Sequence, residues 1–328
     1  MYFTFKLNVD YRPKDNLSKE MNDFLNHLTA GNPISKELIR LFIYLIITKN
    51  NSYQKGLYLW GAAGSGKSVF ETILQAIAGK YVKSITLEDL KDKHSKIDLV
   101  NSSVVLIPDL MNASKKDVSE LKKVISGDLI SARELFKNKI NFRPKCLVII
   151  TSNMLWQPND PTNGLARRIL YLTINKMPKK IINNLLTYDN QVLTGVLANS
   201  ISGLVNWAME IHGKENLFDK YSSSEINSMI SPNLNDKINP LMDWIKNYLS
   251  YTPENVYVMV GNKKSHPDFS LFVNYLNFCT DNGYTPLSIM DFSNFLLQQL
   301  NLIYPDTLFL KRRTAFGMEI NNIMIKIK

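Results

Sequence analysis

Apolar positions at helical spacing run through the first fifty residues. Met21, Phe24, Leu25 and Leu28, then Leu38, Leu41, Phe42 and Leu45, recur every three or four positions between Ser18 and Ile47, which predicts two helices. The break falls at Gly31, Asn32 and Pro33. Ahead of them, residues 1–13 read as a short strand and an extended lead ending at Pro13. The pattern then changes. Leu57 to Trp60, Val104 to Ile107 and Leu147 to Ile150 are short, uninterrupted apolar runs, as strands covered on both faces should be. After the first of them a helix is predicted from Lys67 to Ala78, stopping at Gly79. Strands alternating with helices indicate an α/β fold with a mostly parallel sheet.

Residues 190–212 read as another helix, and the Ser- and Asn-rich stretch 221–239 as a linker. The chain so divides into a lead and helical collar (1–50), a core (51–220), the linker (221–239) and a small C-terminal domain (240–328). In that last part Pro240 starts a helix after an Asn239 cap. Phe269, Phe272, Val273, Leu276 and Cys279 form the stripe of a second, which ends at Gly283. Ser288 with Asp291 resembles a capping box for a third. Thr307–Lys311 and Asn322–Lys328 read as strands, with Ile323, Ile325 and Ile327 alternating in the second. Three helices followed by a β-hairpin are the layout of a winged helix.

Length and composition narrow the class. The 328 residues exceed one ordinary core, and 45% hydrophobic with 21% charged residues is globular usage, which excludes a disordered or low-complexity chain. The longest apolar run, Leu41 to Ile47, falls far short of the ~20 residues of a membrane helix. No secretory pattern opens the chain. Cys146 and Cys279 cannot make a disulfide framework, and His27, His94, His212 and His266 have no metal-ligand spacing. A soluble, intracellular protein with neither membrane contact nor structural metal is expected. The net charge of +10 points to an anionic partner, nucleic acid first. It is a weak pointer alone, because Lys, Asn, Ile, Tyr and Phe are the set that AT-rich codons encode.

The chemistry concentrates in three places. Gly61-Ala62-Ala63-Gly64-Ser65-Gly66-Lys67-Ser68 is the phosphate-loop pattern GxxxxGK[ST], lying between a strand and a helix. Its glycines let backbone N–H groups turn inward around a polyphosphate, and the helix start adds its positive dipole end. Lys67 should reach the β- and γ-phosphates, and the Ser68 hydroxyl should bind Mg²⁺. The run Val104 to Pro108 ends in Asp109, which would hold that Mg²⁺ from the carboxyl edge, where open α/β sheets bind ligands. Leu147 to Ile150 exits into Thr151-Ser152-Asn153, an amide that can orient water against the γ-phosphate. ATP and Mg²⁺ are the expected cofactors.

In this order the motifs resemble the superfamily 3 helicases, specifically the phage, plasmid and poxvirus D5-like primase–helicase branch. The resemblance spans roughly residues 8–215, through "LNVDYRPKDNLSKEMNDFLNHL", "GLYLWGAAGSGKSVFETILQAIAGKYV", "LKKVISGDLISARELFKNKINFRPKCLVIITSN" and "LARRILYL". It implies an AAA+-type ATPase that forms a ring, usually a hexamer, and translocates 3′ to 5′ on single-stranded DNA. It implies Walker A roles for Lys67 and Ser68, a Walker B role for Asp109 and a sensor role for Asn153. Arg168 fits the arginine finger that reaches the neighbouring subunit's γ-phosphate, with Arg167 beside it as the rival. Arg133 to Phe142 corresponds to a hairpin projecting into the central channel, where Phe136, Lys137 and Lys139 could hold a backbone phosphate or stack on a base. Lys311, Arg312 and Arg313 precede the expected wing and could touch a DNA backbone.

Two features depart from the family pattern. The family usually carries a glutamate at or beside the Walker B aspartate, as the base for water; here the sequence reads Pro108-Asp109-Leu110. Three readings stay open: Asp109 does both jobs, catalysis is slow, or another carboxylate serves. About 50 residues precede the strand–loop unit, too few for the N-terminal primase domain of many relatives, so primer synthesis by this chain is not expected. The expected function is an ATP-dependent replicative DNA helicase of a mobile element. Its expected partners are single-stranded or forked DNA, further copies of the chain and a separate primase or polymerase. The alternatives are an origin-binding initiator or loader ATPase that does not unwind, and a nucleotide-locked, non-hydrolysing DNA scaffold.

Overall fold

The two N-terminal helices form where the spacing places them. α1 (Lys19–Leu28) is capped by Ser18, whose hydroxyl accepts from the Met21 N–H, and α2 (Pro33–Thr48) by Asn32, which accepts from the Ser35 N–H. The structure is a computed structural model that describes residues 5–108, 115–134, 136–156, 164–175, 187–189, 192–194, 199–232, 239–254, 256–262, 266, 269–284 and 286–326. They fall into two compact units, Met1–Pro232 and Asn233–Lys328.

The first unit is built on five strands: β1 (Gly56–Trp60), β2 (Val82–Ser84), β3 (Val104–Pro108), β6 (Leu147–Ser152) and β7 (Ile169–Thr173). Their order is β2-β3-β6-β1-β7 and every pairing is parallel, as expected of an α/β core. Leu57, Leu59, Leu147, Ile149, Leu170 and Leu172 point to one face, into a core shared with α1, α2, α3 (Lys67–Ala78) and α5 (Ile201–Met209). The other face buries Tyr58, Val105, Val148 and Tyr171, and α4 (Lys115–Ser126) lies there, with Ile125 against Gly56. Between α4 and β6 the chain makes a hairpin of β4 (Ile130–Arg133) and β5 (Lys139–Phe142).

Three expectations are corrected in this unit. Residues 1–4 of the expected strand and lead lie outside the described residues, and residues 5–13 form no strand. Their polar groups meet helices instead: the Asn8 N–H donates to the Ile77 carbonyl (2.8 Å) and the Arg12 N–H to Ser202 Oγ (2.8 Å). A Cβ on Gly203 would stand 2.0 Å from the Asn16 carbonyl oxygen, so glycine lets the lead lie directly on α5. Residues 190–212 are not one helix. β8 (Thr187–Asp189) and β9 (Val192–Thr194) pair antiparallel ahead of α5, in keeping with their β-branched and aromatic residues.

The stretch read as a linker holds two short helices' worth of order at its start: α6 (Leu217–Lys220) runs up to it, and α7 (Ser223–Ile230) lies within it. Ser222 and Glu225 form a capping box, Ile226 enters the core, and Asn227 is fully buried against β7. Asn227 Oδ1 accepts from the Tyr171 N–H (2.9 Å), and its Nδ2 donates to the Ile169 carbonyl (3.2 Å). Among the described residues β7 is an outer strand of its sheet, and this one side chain pairs two of its outward backbone groups. Serine and asparagine here cap and pair, which composition alone cannot distinguish from a linker.

The second unit contains the three expected helices, α8 (Pro240–Tyr248), α9 (Leu271–Asp281) and α10 (Ile289–Ile303), capped by Asn239, Ser270 and Ser288. Trp244, Phe272, Tyr275 and Phe292 form its aromatic core. The strands differ from the reading. β11 (Tyr257–Met259), β12 (Lys311–Thr314) and β13 (Gly317–Asn321) make an antiparallel sheet of order β11-β13-β12. β14 (Ile323–Ile325) pairs with β10 (Leu249–Tyr251), not with β12. Lys311 therefore begins a strand that was expected to end there. Phe269 precedes α9 and is 73% exposed, so it is no part of the stripe. Among the described residues no helix is long and apolar enough to cross a membrane.

Candidate nucleotide site

The glycine loop leaves β1 at the carboxyl edge of the sheet. The Gly61 N–H donates to the Ser152 carbonyl (3.2 Å), and the Ile174 N–H to the Trp60 carbonyl (2.8 Å), so the chain exits between its two neighbouring strands. A Cβ on Gly61 would lie 2.1 Å from the Ile174 carbonyl oxygen; only glycine fits. Gly64 and Gly66 take positive φ (77° and 103°), and Gly66 opens α3 with no side-chain cap. The first N–H groups of α3 are thus answered by no capping side chain, which is the donor arrangement that suits an anion. Ala62, Ala63, Gly64 and Ser68 are exposed along the crest, while Ser65 is buried beneath it.

Lys67 reaches back across this loop. Its Nζ donates to the carbonyls of Gly61 (2.5 Å) and Ala62 (3.1 Å), to Ser65 Oγ (3.2 Å) and to Asn153 Oδ1 (3.0 Å). The loop lysine and the amide at the exit of β6, 86 residues apart, are therefore in contact. Asp109 lies outside the described residues. The strand that leads to it ends at Pro108, in register with Thr151. A carboxylate not read from the sequence stands close by: Glu71, one turn along α3, accepts through Oε1 from Thr151 Oγ1 at 2.6 Å. Its signal was its spacing of four from Lys67, which puts both on one helix face.

The donor set suits a Mg²⁺–triphosphate. It offers an ammonium, uncapped helix N–H groups and the exposed Ser68 hydroxyl. Among the described residues no three His, Cys, Asp or Glu side chains gather to cage a metal.

The two arginines stand at the other end of the sheet. Arg168 directly precedes β7, and its carbonyl accepts from the Gly56 N–H (2.8 Å) at the start of β1. The length of β1, roughly 16 Å at ~3.3 Å per residue, separates that level from the loop of the same chain. Arg168 Nε donates to Ser126 Oγ (2.8 Å) and Nη1 to the Gly164 carbonyl (2.7 Å). Arg167 is exposed, and its carbonyl accepts from Lys55 Nζ and from Ser223 Oγ, both at 2.7 Å. Burial, then the charges of Arg168 and Arg167, hold the Lys55 ammonium below its ordinary pKa. Lys55 joins this cationic edge unread from the sequence, although it sits directly before β1.

The β4–β5 hairpin matches the segment singled out from the resemblance. Ile130 and Ala132 are buried, Arg133 faces Lys139 across the strands, and Phe136 in the turn is fully exposed with φ of 62°. Lys137 pairs with Glu134, and the Lys137 carbonyl accepts from Arg133 Nε (3.0 Å). In the second unit, Arg312 stacks 3.4 Å over the Tyr257 ring and donates to Glu319 (2.8 Å). Lys311 is half-buried, with its pKa lowered by burial, and Arg313 is exposed. Phe316, in the turn between β12 and β13, is 84% exposed.

Comparisons with known proteins give matches in sequence and in fold. A model described as a family of unknown function, DUF5906, matches residues 59–168, the stretch from β1 to Arg168. The mitochondrial protein ymf21 of Marchantia polymorpha, itself described as uncharacterized, is 32% identical over 63 residues. Those residues are 19% of this chain and 35% of the relative, so the chain matches about a third of that protein's length. Two apo structures of the NrS-1 C-terminal region cover 99% of this chain and 80% and 79% of theirs, with TM-scores of 0.53 and 0.52 at 13% and 15% identity. At such identity the likeness is one of fold: an α/β chain with a five-stranded parallel sheet.

Proposed function

We propose that this chain is an AAA+ ATPase of the superfamily 3 helicase type, a ring-forming motor that unwinds DNA during replication of a mobile element. The observation that carries the reading is the 3.0 Å contact from Lys67 to Asn153. It joins a GxxxxGKS loop to the polar end of the adjacent strand, in a sheet of order β2-β3-β6-β1-β7. On this reading the ATP phosphates lie over the loop, and Lys67 exchanges the Gly61 and Ala62 carbonyls for phosphate oxygens. Ser68 and Asp109 would hold Mg²⁺, which would supply positive charge against the polyphosphate. Asn153 orients the attacking water.

Arg168, or Arg167 beside it, acts on the nucleotide of a neighbouring copy. The distance along β1 supports this, since neither arginine stands by the loop of its own chain. The site is then complete only between two copies, and hydrolysis depends on assembly. The exposed Phe136, with Lys137 and Lys139 on the same hairpin, takes single-stranded DNA in the ring. The second unit acts as a winged helix on DNA or on a primase or polymerase. There Lys311 and Arg313 supply phosphate contacts while Arg312, engaged by Tyr257 and Glu319, stiffens the wing.

The test measures ATP turnover with and without single-stranded DNA, and strand displacement on a forked duplex, against Lys67→Ala as the blank. DNA-stimulated turnover with unwinding is expected. Turnover without unwinding would leave the loader reading in its place. Wild-type turnover equal to the blank would leave only the scaffold and refute the motor.

A further inference from the structure

The enzyme reading leaves one chemical role without an owner: no glutamate stands beside Asp109 to take a proton from water. The described part of the site contains a carboxylate in a suitable place. Lys67 and Glu71 are four apart on α3 and so lie one above the other on a single helix face. Thr151, in β6, and Asn153, just past its end, each meet one of these α3 side chains. These four residues form two parallel rungs between helix and sheet, Lys67 to Asn153 at 3.0 Å and Glu71 to Thr151 at 2.6 Å. Thr151 lies in register with Pro108 of β3, the residue before Asp109, on one side and with Leu59 of β1 on the other. The helix therefore brings an acid to the strand ends from which family members usually present one.

We propose that Glu71 is the base for ATP hydrolysis in this chain, an inference that rests on the ATPase reading above. The water oxygen bonds to the γ-phosphorus as the bond from that phosphorus to the β–γ bridging oxygen breaks, and ADP leaves with the electron pair. The water proton passes to the Glu71 carboxylate. The Thr151 hydroxyl, by donating to Oε1, holds that carboxylate in one orientation and leaves Oε2 for the proton. Asn153 fixes the water on the neighbouring rung. One carboxylate on α3 and one after β3 would then divide work that the family usually places on adjacent residues of one strand.

The decisive variant is Glu71→Gln. Glutamine keeps the length of the side chain, and its amide oxygen still accepts from Thr151, so a residue that only fastens α3 to the sheet would tolerate the change. A base would not. The expected result is a fall in turnover of about 100-fold or more, the usual contribution of a positioned base. Affinity for a fluorescent ATP analogue with Mg²⁺, titrated without turnover, should stay within about threefold of wild type. Lys67→Ala should lose both binding and turnover. Should the glutamine variant melt well below wild type, Glu71→Asp replaces it: a carboxylate one methylene shorter should retain partial turnover, and an inactive but folded aspartate variant would count against the role.

Glu71→Gln turnover within about threefold of wild type, with Lys67→Ala inactive, would overturn this inference and leave the ATPase reading intact. Loss of nucleotide affinity in Glu71→Gln would overturn it too, by making Glu71 a support of the loop. Wild-type turnover no higher than that of Lys67→Ala would remove both.

Discussion

Replacing Asn227 with leucine tests how the outer strand of the sheet is closed. Asn227 has 0% of its surface exposed, accepts from the Tyr171 N–H at 2.9 Å and donates to the Ile169 carbonyl at 3.2 Å. Leucine has the same branched skeleton, is bulkier and can do neither. Both backbone groups would stay inside without a partner, at about 1–3 kcal/mol each. The added apolar surface returns about 1 kcal/mol. The net loss should be about 1–5 kcal/mol. Urea unfolding followed by far-ultraviolet circular dichroism measures it as a lower midpoint at an unchanged slope. Asn227→Asp is the companion. Its carboxylate can still accept from Tyr171 but faces the Ile169 carbonyl with a second negative oxygen. Burial raises its folded pKa above the unfolded value of about 3.9, so its deficit should shrink as pH falls through that folded pKa, whereas the leucine deficit should not. A leucine variant within about 0.5 kcal/mol of wild type would refute the claim that this one side chain satisfies these two groups.

Other outcomes follow from single contacts. Gly61→Ala should destabilise the first unit by about 1–3 kcal/mol and abolish nucleotide binding, read by melting temperature and titration, because its Cβ would press on the Ile174 carbonyl. Burial works to raise the Glu120 carboxyl, but the hydrogen bonds and charges of Lys123 and Lys96 outweigh it, and the net shift is downward. Its stabilisation is therefore present above the unfolded pKa of about 4.3 and lost as pH falls through the lower folded one. Glu120→Gln should melt about 2–4 °C below wild type at pH 7, and the gap should vanish in acid. Burial pushes the Cys146 thiol up to about 11, so iodoacetamide at pH 8 should spare it in the native protein and label it in urea. Phe136→Ala should lower affinity for single-stranded DNA about 5-fold or more, measured by fluorescence anisotropy, if a base stacks on this ring.

The parts legible in the sequence are those specified by neighbours along the chain. The break between α1 and α2 follows from Asn32 and Pro33, and the loop from its own glycines. β1, β3 and β6 are continuous apolar runs because both faces of the sheet are covered. The parts that went unread depend on partners far away. The lead of residues 5–13 looks extended either way, and only the polar face of α5 decides that its bonds go to Ser202 and Asn206. α7 reads as a linker because Asn227 gains its purpose from β7, 56 residues earlier. Glu71 is an ordinary helical glutamate until Thr151, 80 residues on, donates to it. Lys55 and the arginines reveal a shared edge only once β1 and β7 are side by side.

The turn at Phe136 sets two ways of ranking variants against each other. A bulky residue held at φ of 62°, with its ring wholly in water, is uncomfortable twice over, and glycine there would relieve about 1 kcal/mol of backbone strain. Heat challenge of a variant library would enrich Phe136→Gly. On the proposed reading, in which this ring takes single-stranded DNA, a screen for grip on a nucleic-acid strand would deplete the same substitution. Position 136 is therefore where optimisation for shelf life and selection for use part company, and a library sorted on robustness alone would drift toward a hardier chain with a blunted hairpin.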